Sequence, residues 1–224
     1  MSYILNIDTS TTLCSVAISK NGEIVCSKEI NEGYSHTENL HVFINDLLIQ
    51  EKLMPSKLSA VAIGSGPGSY TGLRIGVSAA KGLAFALNIP LIAINSLQIM
   101  VQSVIEKTSI NTLLCPMLDA RRMEVYCAIF DKNLSFVKDT SAQMITEENL
   151  DFFKTGKEIC FFGDGMQKCQ SILENIPGSS FIENIYPSAK ALSALSFKKF
   201  TEKQFENVAY FEPFYLKDFM IGAK

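Results

Sequence analysis

The sequence is poor in the residues on which most catalytic and metal sites depend. It contains two histidines, His36 and His41, and none of its six cysteines forms a Cys-x-x-Cys pair. The histidines are five residues apart, so they lack the i, i+4 spacing of a helical metal pair. No Ser-His-Asp or Cys-His arrangement can be assembled, and the cysteines are too widely spaced for a structural zinc site. The sequence therefore predicts no metal site, no cofactor and no nucleophilic active site.

Positive charge is also scarce. The chain has a net charge of −3, and its only arginines are Arg74, Arg121 and Arg122. Its calculated isoelectric point is about 5.5. A protein that binds nucleic acid by itself usually presents a basic face. If RNA is involved, we expect a partner to supply most of the phosphate contacts.

Long apolar runs and targeting signals are missing as well. The longest apolar region, residues 82–100, is interrupted by Pro90, and the N-terminal stretch has no basic segment before Asp8. These features argue against a membrane span and a signal peptide. The cysteines lie in apolar runs, which is typical of free thiols in a reducing compartment. We therefore expect a cytoplasmic protein.

The order of predicted elements indicates an α/β fold. Asn21-Gly22 suits a tight hairpin between the second and third predicted strands. In the first half, strands are predicted at 3–7, 13–19, 23–30, 58–63 and 89–94, and helices at 37–51, 71–87 and 96–107. In the second half, strands are predicted at 113–118, 124–130 and 159–162, and a helix at 188–200. This order predicts one α/β domain over residues 1–110 and a second over 111–224, whose C-terminal segment could return to the first.

Two predicted helices carry patterns that favour close contact with another element. Helix 37–51 has a broad apolar face. Helix 71–87 has Gly72, Gly76, Ala80 and Ala84 at intervals of four, although each helical glycine costs about 1 kcal/mol relative to alanine. Small residues allow a second backbone to approach, which could belong to the protein's own sheet or to another subunit. The predicted subunit interface comprises Leu40, Phe43, Ile44, Leu47, Gly72, Ile75, Gly76, Ala79 and Ala80.

A glycine-rich turn joins a predicted strand to the second of these helices. Backbone amides at such a helix start can hold phosphate. However, no Gly-Lys-Ser/Thr follows at the Walker spacing, and Ser69 occupies the third glycine position of a dinucleotide fingerprint. Two interpretations remain open, a tight packing turn or a vestigial nucleotide site. The residues of the second interpretation are Asp8, Thr9, Ser10, Gly66 and Gly68.

Several motifs together resemble the TsaB family, also called YeaZ. The most specific is the run from Gly66 to Gly76, with the sequence GPGSYTGLRIG. Supporting motifs are Asp8-Thr-Ser10, the stretches 79–84 and 94–97, Leu118-Asp-Ala-Arg-Arg122 with Glu124-Val-Tyr126, Gly163-Asp-Gly165, and Glu212-Pro-Phe-Tyr-Leu216. The resemblance therefore extends over nearly the whole chain.

The resemblance implies an actin- and sugar-kinase-like (ASKHA) fold of two related α/β domains. It also implies pairing with a TsaD homologue and work with the ATPase TsaE, with tRNA bound only through that complex and a homodimer formed when the chain is alone. The complex installs N6-threonylcarbamoyl on the adenosine next to the tRNA anticodon. TsaD-type proteins carry a His-x-x-x-His metal pair where this chain has Ser96 and Met100. The expected role is therefore a non-catalytic activator, and the alternative is a small-molecule kinase of the same superfamily.

Overall fold

The chain divides into two compact units that differ from the predicted domains. The structure, a computed structural model, describes residues 1–33 and 35–217; residues 218–224 of the predicted second domain lie outside this part. The first unit contains residues 1–95 and the segment from Ser188 onward, and the second contains Ser96–Pro187. The predicted boundary at residue 110 therefore lies fifteen residues too late (110 − 95), because helix 96–107 belongs to the second unit. The segment from Ser188 onward belongs to the first unit because the C-terminal helix packs on the first sheet.

Most predicted elements form close to their expected positions. The strands are β1 Tyr3–Asp8, β2 Cys14–Lys20, β3 Glu23–Ile30, β4 Leu58–Gly64, β5 Leu91–Ile94, β6 Leu113–Asp119, β7 Glu124–Phe130, β8 Phe136–Met144, β9 Ile159–Phe162 and β10 Ser179–Ile182. The α-helices are α1 His36–Gln50, α2 Tyr70–Leu87, α3 Ser96–Val104, α4 Gln170–Leu173 and α5 Ala189–Thr201. β8, β10 and the short helix α4 were not predicted from the sequence. β8 and β10 are the edge strands of one sheet, where polar residues replace the apolar pattern.

The two units share one topology. The first sheet has the order β3-β2-β1-β4-β5, and the second has the order β8-β7-β6-β9-β10. In each sheet the first three strands in chain order are antiparallel neighbours. In each, the fourth strand runs parallel to both the first and the fifth. The predicted relationship between two α/β domains is thus visible in strand order and direction.

The sheet of the first unit is covered on both faces. Because side chains alternate along a strand, Leu5 and Ile7 face the layer formed by α1 and α2. Asn6 points the opposite way, towards α5. Its side-chain oxygen accepts a 2.6 Å hydrogen bond from Ser196 Oγ, and its Nδ2 donates to Ser19 Oγ at 3.0 Å. These bonds satisfy the buried amide and fix α5 to the first sheet.

The sheet of the second unit also has two covered faces. Leu97, Met100 and Val104 of α3 pack against one face. The opposite face is covered by residues that include Phe153, which is fully buried. Burial on both faces explains why β6, β7 and β9 are largely apolar and were predicted from sequence.

Asn6→Ala should weaken the first unit. The substitution leaves the hydroxyls of Ser19 and Ser196 without their buried partner, which we expect to cost about 1–3 kcal/mol. Asn149→Ala is the matched control, because its amide donates one hydrogen bond at the surface, and should change stability by less than about 0.5 kcal/mol. Urea unfolding followed by circular dichroism measures both. Equal stability of the two variants would contradict the anchoring role of Asn6.

Candidate functional site: the loop after β1 and the glycine turn

The loop after β1 is buried against the glycine turn. β1 and β4 are parallel, so their carboxyl ends meet at one edge of the first sheet. β1 ends at Asp8 and β4 at Gly64, the first residue of the glycine turn. Asp8, Thr9 and Ser10 are all buried. The structure thus brings together the acidic and glycine-rich parts of the predicted nucleotide site.

Asp8 is a buried carboxylate with unequal oxygens. Oδ1 accepts hydrogen bonds from the backbone N–H of Ser10 at 2.9 Å and from its hydroxyl at 2.7 Å. Oδ2 has no hydrogen-bond partner among the described residues. Burial raises the pKa of Asp8 to about 6, and the two bonds from Ser10 only partly oppose this rise. The carboxylate is therefore in a costly position at neutral pH.

The glycines of α2 and of the preceding turn make room for this loop. A Cβ atom on Gly68 would overlap the carbonyl oxygen of Ser10, and one on Gly72 would overlap that of Thr9. At Gly76, an added Cβ would overlap the Thr9 hydroxyl. The small-residue stripe of α2 consists of Gly72, Gly76, Ala80 and Ala84. The second backbone that was predicted to approach it is the protein's own first loop.

Hydrogen bonds lock the loop to the start of α2. The N–H of Ser69 donates to the carbonyl of Ser10 at 2.7 Å, and the Thr9 hydroxyl donates to the carbonyl of Gly72 at 2.7 Å. The side chain of Ser69 caps the helix by accepting from the N–H of Gly72. Two of the amides that could hold a phosphate are thus already bonded within the chain. These contacts explain the glycines as packing residues, and nucleotide binding by this site remains an untested prediction.

The second unit carries a related arrangement. Asp119 ends β6 as Asp8 ends β1, and Gly163-Asp164-Gly165 follows β9 as the glycine turn follows β4. Asp164 accepts a 3.1 Å hydrogen bond from the N–H of Asp119, and Asp119 forms an ion pair with Lys168. Burial raises the pKa of Asp164. Added side chains at Gly163 and Gly165 would overlap the backbone at the end of β6.

The β6–β7 hairpin tip has an unusual backbone. Arg121 and Arg122 have φ values of 71° and 51°, in the left-handed region. That region costs residues other than glycine roughly 1–2 kcal/mol each. Both arginines are exposed, whereas the corresponding loop of the first unit is buried. The strain at these arginines could not be predicted, because a turn's backbone angles are not visible in residue spacing.

The histidines are not arranged as a metal site. His36 is buried, and its Nε2 lies 2.8 Å from the carbonyl oxygen of Thr11. Burial lowers the pKa of His36. His41 is exposed. Across residues 1–33 and 35–217, no group of three or more histidine, cysteine, aspartate or glutamate side chains could hold a metal ion.

Ser96 and Met100 lie within the second unit. Both are fully buried on α3, and Met100 belongs to the core between α3 and the sheet. The methyl group of Met100 lies beside Gly163. The two positions that the resemblance set against a metal pair are therefore occupied by packed side chains.

The predicted interface residues are largely unavailable to a partner. Leu40, Ile44 and Leu47 are buried in the core of the first unit because they pack on its sheet. Gly72, Gly76, Ala79 and Ala80 are buried too, and Phe43 and Ile75 are half-buried against the same core. The prediction that these buried residues form a subunit interface is therefore corrected: their stripes cover the protein's own core. The outer faces of α1 and α2 carry a different set, namely Val42, Ile49, Ser78, Gly82 and Phe85.

All six cysteines are buried free thiols. Burial and, second to it, the nearby charge of Asp8 raise the pKa of Cys14 to about 11. Among the described residues, no helix is long and apolar enough to cross a membrane.

Two units of one topology, each with an acid after its first strand and a glycine turn after its fourth, define a protein of the actin and sugar-kinase class. The activator of 2-hydroxyisocaproyl-CoA dehydratase from Clostridium difficile, solved with bound ADPNP, has a similar fold with a TM-score of 0.53. It is 12% identical, the likeness covering 92% of this chain and 98% of that one, so it shows the fold alone.

A family model described as tRNA N6-adenosine threonylcarbamoyltransferase (TsaD) matches residues 31–220. The chain belongs to this family, and its relatives place it in the TsaB, or YeaZ, branch. It is 29% identical to the tRNA threonylcarbamoyladenosine biosynthesis protein TsaB of Escherichia coli K12, over 96% of this chain and 94% of that protein. The crystal structure of YeaZ from Pseudomonas aeruginosa is 26% identical with a TM-score of 0.81, covering 96% of this chain and 100% of that one.

The buried Asp8 should make stability depend on pH. The folded-state pKa of about 6 exceeds the ordinary value of 3.8, so the folded protein binds the proton more tightly than the unfolded chain. The resulting stabilisation is complete below about pH 4 and is lost as the pH rises through 6, a change of about 3 kcal/mol for a shift of about two units. Asp8→Asn removes this titration.

Urea unfolding of both proteins at pH 4 to 8 measures this effect. The advantage of Asp8→Asn over the parent should grow by about 2.5 kcal/mol between pH 4 and pH 7. Asp151→Asn removes a carboxylate that is 87% exposed and serves as the control with a flat difference. A flat difference for Asp8→Asn as well would show that the buried carboxylate carries no such penalty.

Proposed function

We propose that this chain is a non-catalytic subunit that activates a TsaD-type enzyme during N6-threonylcarbamoylation of tRNA. The observation that carries the proposal is the packing of Ser96 and Met100 on α3. A serine hydroxyl is a weak ligand and a thioether suits soft metals, so this pair could not hold a hard metal ion for phosphate chemistry. The catalytic metal would belong to the partner.

The charge of the chain also supports a role in which the partner, and not this chain, makes most contacts with tRNA. With a net charge of −3 and three arginines, it offers few phosphate contacts of its own. RNA affinity depends strongly on the number of phosphates neutralised by lysine and arginine. We therefore assign most tRNA binding to the complex with the TsaD homologue, and ATP hydrolysis to the ATPase TsaE. Six buried free thiols fit a location in the reducing cytoplasm.

The outer face of α1 and α2 is the surface we assign to the TsaD homologue, and to a second copy when the chain is alone. α1 packs beside α2, and Val42 and Ile49 of α1 are 51% and 66% exposed. On α2, Phe85 is 80% exposed. Gly82 lies one turn away, and an added Cβ there would meet no atom within 4 Å. Exposed large apolar side chains beside small ones suit close helix packing in a subunit interface.

A small-molecule kinase is the alternative function. The free oxygen of the buried Asp8 favours it, because a carboxylate after the first strand could serve a metal–phosphate unit. Isothermal titration of the chain with ATP and Mg²⁺ distinguishes the two functions. Tight binding followed by transfer to a sugar would favour the kinase.

Reconstitution tests the activator role directly. The purified chain should transfer no threonylcarbamoyl group to tRNA, because it lacks the metal pair. The TsaD homologue and TsaE should form product only when this chain is added, which radiolabelled threonine in tRNA would measure. Transfer by the chain alone, or full activity of the other two subunits without it, would refute the proposal.

Two glycines of α2 provide a matched test of the interface. Gly76→Leu should destabilise the folded chain by at least about 1–3 kcal/mol, because its side chain collides with Thr9. Gly82→Leu should leave the thermal midpoint unchanged or raise it, because the site is open and leucine favours a helix more than glycine does. However, the leucine would obstruct a close partner helix.

Light scattering and co-purification with the TsaD homologue measure association, and calorimetry measures the midpoint. We expect Gly82→Leu to lose association while remaining folded, and Lys154→Leu, an exposed substitution in the second unit, to retain it. Normal association of a folded Gly82→Leu protein would exclude this face.

A further inference from the structure

The β6–β7 hairpin tip presents two arginines on a defined backbone. The N–H of Ala120 donates to the carbonyl of Glu124, and the N–H of Glu124 donates to the carbonyl of Arg121, both at 3.1 Å. The N–H of Arg121 also donates to Asp119 Oδ1 at 2.7 Å. The tip is therefore held by backbone bonds, while the side chains of Arg121 and Arg122 are exposed.

The acidic groups near the tip are already engaged. Asp119 pairs with Lys168, whose ammonium also donates to the carbonyl of Glu124 at 2.7 Å. Asp164 accepts the N–H of Asp119. Among the residues that the structure describes, neither arginine forms an ion pair. Two guanidinium groups on one turn are thus available to an outside anion.

The choice of residue at these positions needs an explanation beyond folding. Two consecutive positive φ values favour asparagine or glycine at these positions. Arginine is therefore a less stable choice for this turn. Backbone outliers of this kind concentrate where function requires the side chain. A planar guanidinium matches the geometry of a phosphate group and binds it with two parallel hydrogen bonds. The same topological position in the first unit is buried or half-buried and contains no arginine.

We propose that the Arg121–Arg122 turn binds backbone phosphates of the RNA held by the modifying complex. The inference rests on the proposed function and extends it, since it gives this chain a contact of its own with the substrate. The partner would still supply most of the binding, and the turn would add two cations at a fixed position.

Salt dependence of RNA affinity is the sharpest test. Complexes of the TsaD homologue and TsaE with either the parent chain or Arg121→Asn/Arg122→Asn are titrated with an unmodified tRNA transcript at several salt concentrations. Asparagine accepts the left-handed backbone, so this variant should fold with a thermal midpoint higher by about 2–4 °C. Its Kd should rise about tenfold to 100-fold at 0.1 M salt, and the slope of log K against log salt should fall by about 2.

Two variants control for charge and for the turn. Lys154→Asn/Lys157→Asn removes the same total charge from exposed sites of the second unit and should retain the parent slope. Arg121→Lys/Arg122→Lys keeps the charge and should retain most of the parent's slope. If the complex binds tRNA and the asparagine variant has the parent's slope, this inference is overturned while the proposed function still stands. If the asparagine variant lost subunit association but RNA binding stayed normal, the turn would contact an acidic protein surface instead of RNA. If the parent complex bound no tRNA, the proposed function would be overturned as well.

Discussion

The close approach of the first loop to α2 determines most of the first unit. The carbonyls of Thr9 and Ser10 lie where side chains on Gly72 and Gly68 would be, so the loop and the helix can pack only while these residues are glycine. The contact positions α2 along the sheet and turns its small-residue stripe inward. The outer face of the helix, which carries Phe85, is thereby presented to solvent.

The same contact changes the chemistry of the sheet edge. In an α/β fold the loops at the carboxyl ends of the strands usually bind the ligand. Here Ser69 and Gly72 bond to the protein's own loop and cap, and one oxygen of the buried Asp8 has no partner within residues 1–33 and 35–217. A buried carboxylate of this kind lowers stability at neutral pH. The first loop and the glycine turn are thus used for internal packing.

The two units use one topology for different purposes. In the first, the loop between the first two strands is buried and holds a helix. In the second, the equivalent hairpin extends into solvent and ends in Arg121 and Arg122. Ser96 and Met100 are fully buried on α3 of the second unit.

The sequence by itself determined the elements and the family. The apolar run of β1, the helical spacing of α1 and the Asn21-Gly22 turn specify local structure, because each pattern suits one backbone geometry. The run Gly66–Gly76 was specific enough to identify the family, which the comparisons confirm. β8 escaped prediction because none of the residues of this edge strand is buried, so its sequence has little apolar pattern.

Only the tertiary structure decided what each patterned face contacts. A small-residue stripe records that something approaches closely, but it is the same whether the neighbour is Thr9 of its own chain or another subunit. The apolar face of α1 likewise gave no sign that Leu40 and Leu47 would be fully covered by their own sheet. The physical reason is that periodicity encodes the direction of a side chain relative to its own helix axis. The identity of the neighbour depends on contacts between residues far apart in sequence, which form only when the sheet is assembled.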